Sequence, residues 1–149
     1  MFVDTTVESV IQHLSKLEAD TQPKWGKMSA QRMIEHLTDA VRIATGKNPQ
    51  NLLIPEEKIE SMQRFLASDK EMAQNIQVPF AKEDVDLRHS EIELALDELV
   101  EELIMFEELY AENEGLTQVH PFYGALDYDQ WTRLNAKHLT HHFKQFGLL

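Results

Sequence analysis

Residues 90–115 constrain the fold more than any other part of the chain. Ile92, Leu96, Leu99, Val100, Leu103, Phe106, Leu109 and Tyr110 recur there at three- and four-residue steps. That spacing lines up side chains on one face of an α-helix. Glu91, Glu93, Glu98, Glu101, Glu102, Glu107 and Glu108 fill the intervening positions and read as the solvated side. Ser90 with Glu93 has the form of a capping box, and Gly115 is the expected stop. Such a stripe must be covered by other elements, and the rest of the chain is read for what covers it.

Three further segments show the same period. Val7, Val10, Ile11, Leu14 and Leu17 predict a helix over residues 5–19, ended by Asp20, Thr21, Gln22, Pro23 and Gly26. Ser29 is placed to cap a second helix carrying Met33, His36, Leu37, Ala40 and Ala44, with Gly46 just beyond its end. Asp127 and Gln130 form another capping box, ahead of a last helix with Trp131, Leu134, Asn135, His138 and His142, stopping near Gly147. Between the second and third long helices, residues 46–86 hold Pro49, Pro55 and Pro79 and one short helix at about 56–68. This stretch reads as a crossover connection within one domain spanning 1–149. The segment GLTQVHPFYGAL is read as a loop, since no alternating strand pattern is seen. The expected fold is all-α: a four-helix bundle with a long crossover.

Composition excludes several function classes. The formal charge of −12 sets up a field that repels phosphate backbones, and no basic patch offsets it. With no cysteine, disulfides, thiolate metal sites and a cysteine nucleophile are ruled out. The start, MFVDTTVESV, lacks the basic and apolar regions of a signal peptide, and no apolar run approaches the roughly 20 residues of a membrane span. A cytoplasmic chain is expected, without nucleic-acid or membrane partners.

Four of the seven histidines lie in the last thirty residues. His36, three residues after Met33 and four before Ala40, points into the bundle with them. His138 and His142 stand one turn apart on the side of Trp131 and Leu134, a spacing that lets two imidazoles share an ion. A third ligand from another helix would complete a three-histidine divalent-metal site with open positions. A single inward histidine is more often a core residue bonded to a carbonyl, and a lone HxxxH is a weak signal. Three inward imidazoles would, however, bury many polar nitrogens without partners. The residues alone leave metal site and core histidines evenly matched. His141 forms an i, i+3 pair with His138 and is read as a flanking or outer group, whereas His120, in the loop beside Pro121, reads first as an ordinary loop histidine and second as a group that could reach a site at the bundle end.

Two segments carry a resemblance. WGKMSAQRMIEHLTDA (Trp25–Ala40) and HPFYGALDYDQWTRLNAKHLTHHFKQFG (His120–Gly147) resemble the signature regions of a DinB-like subfamily of unknown function, through MSAQxMxEHL and HPFxGxL…KHLxHHxxQFG. The resemblance implies a helical bundle whose metal is bound by His36, His138 and His142. The wider superfamily includes thiol-dependent transferases and isomerases, so a low-molecular-weight thiol is an implied substrate.

The expected function is a metal-dependent enzyme, a thiol-dependent transferase or a hydrolase acting on a small molecule. Glu35, Asp39 and His141 are the candidate catalytic groups: Glu35 and Asp39 flank His36 and could carry protons or orient its free ring nitrogen. Zinc and nickel head the expected metals, with iron also compatible, because imidazole ligands alone do not select among them. The alternative is a non-catalytic metal-binding or interaction module, a homodimer among its forms. A plain helical domain with core histidines is the third reading.

Overall fold

The computed structural model describes residues 1–76, 78–82 and 85–149. Its elements are α1 (Val7–Leu14), α2 (Ala30–Ala44), a 3-10 turn (Glu56–Lys58), α3 (Ile59–Ala67), α4 (Ile92–Glu112), β1 (Gln118–His120), β2 (Gly124–Leu126) and α5 (Tyr128–Gln145). The chain is thus mostly helical with one small sheet. The short helix expected at about 56–68 is present as the 3-10 turn and α3, but the all-α four-helix bundle is corrected: among the described residues, the supposed loop before the last helix pairs as a hairpin.

That hairpin is antiparallel, with Val119 opposite Ala125 and His120 opposite Gly124. It escaped the sequence reading because three-residue strands are too short to show alternation. Gly124 makes it possible: its φ is +78°, and a Cβ there would lie 3.2 Å from the Ile59 side chain. Only glycine takes that conformation and that approach without strain.

The helix ends follow local chemistry. The Ser29 hydroxyl accepts from the Arg32 amide at 3.1 Å and starts α2. At α5 the Asp127–Gln130 capping box is complete. α1 is shorter than its periodic stretch, starting after Thr6 and ending at Leu14. The Ser90–Glu93 box does not form, and α4 begins after Glu91 with no side-chain cap. The Glu35 carboxylate instead takes the backbone N–H groups of Arg88 at 2.7 Å and His89 at 3.4 Å, tying the entry to α4 onto α2.

Inside this frame α2 packs most extensively on α4, and α5 packs on both α2 and α3. Trp131, Phe106, Phe143, Met33, Ile34 and Leu99 are among the largest fully buried side chains, each contributing about 1.5–3 kcal/mol through removal of apolar surface from water. Glu102, expected on the wet side of α4, is also buried; Arg42 at 3.3 Å and Lys47 at 2.7 Å pair with it. A buried carboxylate needs such partners. Among the described residues no helix is long and apolar enough to cross a membrane.

Candidate metal centre

The contact between α2 and α5 brings three imidazoles to one point. Nε2 of His138 lies 2.9 Å from Nε2 of His36 and 3.0 Å from Nε2 of His142. The three ligand atoms all fall within 4.8 Å of one another. The ring centroids are 4.6–4.9 Å apart, with each ring edge-on to its neighbours. Tetrahedral ligands about 2.05 Å from zinc would stand about 3.3 Å apart, so small side-chain rotations are enough to seat an ion.

Hydrogen bonding around the cluster fixes where its lone pairs point. The Gln145 amide nitrogen donates to the Trp25 carbonyl at 3.0 Å, which turns Oε1 toward His142. Nδ1 of His142, 2.7 Å from that oxygen, must therefore be the donor. The neutral ring then carries its proton on Nδ1 and presents the Nε2 lone pair to the cluster. His138 has at most one proton on Nε2 and two nitrogens within 3.0 Å, so it can satisfy only one of them. On the far side, Nδ1 of His36 is buried without a partner among the described residues. Extra protons are no remedy. Burial first, with the charge of Arg32 and of His141 adding to it, brings the pKa of His36 down to about 4. Burial and the neighbouring imidazoles push His138 and His142 well below the ordinary value. Three neutral nitrogen donors facing inward suit a cation, and the residues fit a divalent ion.

The cluster forms part of the wall of a cavity of about 510 Å³. Trp25, His120, His141 and Asp39 line it as well. His141 is half-buried and lies edge-on to Trp25 and His142, outside the triad. His120 is also outside the triad, but the structure brings it into the cavity wall beside Tyr123 and Trp131. Its Nδ1 accepts from the Phe122 amide at 3.0 Å, so the neutral ring carries its proton on Nε2. Burial lowers its pKa to about 4.

The acidic candidates stand apart from the imidazoles in their bonding. Glu35 is 0% exposed, and its oxygens are taken by Gln31 and the Arg88 and His89 amides. Burial alone would raise its pKa, but these hydrogen bonds and the charge of Arg88 hold it below the usual carboxylate range. Asp39 pairs with Arg32 at 3.3 Å and Arg88 at 2.8 Å. Neither carboxylate hydrogen-bonds His36 among the described residues. Gln145, with Trp25 behind it, was missed as a site residue; its place three residues after His142 on the same stripe was the available signal.

Fold and cluster together define a mostly helical protein with a candidate three-histidine metal site. The family described as "Protein of unknown function (DUF1569)" matches over residues 4–147, and the chain belongs to it. This overturns the DinB-like resemblance, which rested on the two histidine-bearing segments alone, whereas the family match runs almost end to end. The thiol-dependent activities implied by that resemblance lose their basis with it. No curated protein and no solved structure matches the chain.

Proposed function

We propose that this chain is a metal-dependent enzyme acting on a small molecule, with His36, His138 and His142 holding one divalent ion. The observation that carries the reading is the position of the three Nε2 atoms: they meet at the wall of a cavity of about 510 Å³, where coordination positions are left for something other than protein. A structural ion is normally closed off by four protein ligands, whereas a catalytic one keeps a position free. When bound, an ion held only by neutral imidazoles keeps its full charge and supplies a Lewis acid, suited to hydrolysis or group transfer. Zinc and nickel head the choice, with iron also compatible.

The chain's own groups supply the rest. Gln145 holds His142 in the tautomer that exposes Nε2, as outer partners of metal-binding histidines commonly do. Aromatic rings line much of the cavity, and polar contacts made against such a low-dielectric wall gain strength. His120 offers a hydrogen-bond donor to whatever occupies the space.

Cobalt substitution tests the reading. One cobalt per chain should bind, with a visible spectrum that changes when acetohydroxamate is added. Binding should vanish in His138→Ala. A spectrum indifferent to added ligands would mean a closed, structural site and overturn the enzymatic reading.

A further inference from the structure

We infer that the cavity beside the histidines takes a molecule whose body is uncharged and largely apolar, rather than one bearing carboxylates or phosphates. The inference rests on the metal-site reading only for the end of the molecule that meets the imidazoles. The rest follows from the lining.

The volume, about 510 Å³, falls within the roughly 300–1,000 Å³ of small-molecule sites. Trp25, Phe65, Phe80, Phe122, Tyr123 and Trp131 bring six rings to its walls. Among the described lining residues there is no lysine or arginine. The acid in the lining, Asp39, is already neutralised by Arg32 and Arg88, and those two cations are spent on it. Away from the imidazole end, an anionic body would therefore meet no counter-charge in the described lining, which is costly, against the background of a chain with a formal charge of −12.

What the lining does offer is neutral hydrogen bonding. The Nε2–H of His120 is left over once Nδ1 has taken the Phe122 amide, and it has no partner among the described residues. The Asn135 side chain is in the same position: the residue is 7% exposed, lines the cavity one turn before His138, and its amide makes no hydrogen bond among the described residues. Two unpaired neutral groups in an aromatic cavity suit an uncharged carbonyl, ether or hydroxyl on an apolar body.

A matched pair of dyes tests this on the full chain, with and without zinc. N-phenylnaphthylamine is neutral; anilinonaphthalene sulfonate has the same rings plus a sulfonate. Trp25 and Trp131, the only two tryptophans, both line the cavity, so energy transfer from them to the dye reports occupancy. The neutral dye should bind at least about tenfold more tightly, a difference of about 1.4 kcal/mol. Ala40→Phe, which adds a ring to the lining and narrows the cavity, should weaken binding at least about tenfold while leaving the helical circular dichroism intact. Ala81→Lys, which adds a cation to the lining, should bring the sulfonate up to the neutral dye. Equal or tighter binding of the sulfonate to the native chain would overturn the inference, as would failure of a folded chain to bind either dye. If the neutral preference holds in a chain that takes up no metal, the metal reading falls and this one stands.

Discussion

Nδ1 of His142 donates to Oε1 of Gln145 at 2.7 Å, and that single contact decides which nitrogen of His142 faces the cluster. The Trp25 carbonyl sets the Gln145 amide, the amide sets the imidazole, and the imidazole aims its lone pair at His36 and His138. Replacing Gln145 with leucine frees the ring to flip or change tautomer. Metal affinity should fall about 10–100-fold, measured by competition with a chromogenic chelator, while one ion per chain still binds at saturation. An unchanged affinity would mean that Gln145 only packs.

His138 and His141 are three residues apart, yet only the first shares its Nε2 with both other histidines. His138→Ala should lose stoichiometric metal in elemental analysis. His141→Ala should keep most of it, because that ring stands edge-on to Trp25 and outside the ligand cluster. Equal losses in the two variants would contradict the ligand set.

Glu35 acts as a strut in this structure. Its carboxylate is fully buried and ties the Arg88–His89 turn to α2. Glu35→Ala leaves two backbone donors without their acceptor, and charged hydrogen bonds of this kind contribute about 1.5–3 kcal/mol each. Thermal melting should drop by roughly 2–4 °C for each kcal/mol lost, with metal bound per folded chain unchanged. Loss of metal without loss of stability would instead place Glu35 in the site.

These contrasts show what the sequence could and could not convey. Helical period exposed the stripes of α2, α4 and α5, and the spacing of His138 and His142 placed two rings on one face. The meeting with His36 depends on how α2 packs against α5, which no local pattern encodes. Ser90 and Glu93 matched a capping motif, but a carboxylate 55 residues earlier in the chain captured the neighbouring amides. Glu102 sits on what periodicity marks as the wet side; its burial depends on Arg42 and Lys47 from another segment. His120 looked like loop because its strand is three residues long, and its role in the wall appears only once Tyr123 and Trp131 are packed beside it. The family assignment shows the same limit: two matching segments suggested one family, and the full-length comparison gave another.

Acid should destabilise the metal-free protein well before its carboxylates titrate. His36 and His120 have pKa values lowered to about 4 in the folded chain, against about 6.5 unfolded. Between those limits the unfolded state binds the extra protons, so stability rises with pH and is lost as pH falls below about 6.5. At pH 5 each of the two groups should cost on the order of 1–2 kcal/mol, with His138 and His142 adding in the same direction. Melting curves from pH 7.5 to 5 in chelator should show a steady fall. A flat profile would mean that these rings are free to protonate where they stand.

The most direct test is a crystal of protein grown with zinc, with anomalous difference maps recorded on both sides of the zinc edge. A single strong peak should appear about 2.0–2.1 Å from Nε2 of His36, His138 and His142, with its remaining coordination directed into the cavity. Maps without a peak at that point, from protein whose three rings are well ordered, would contradict the account.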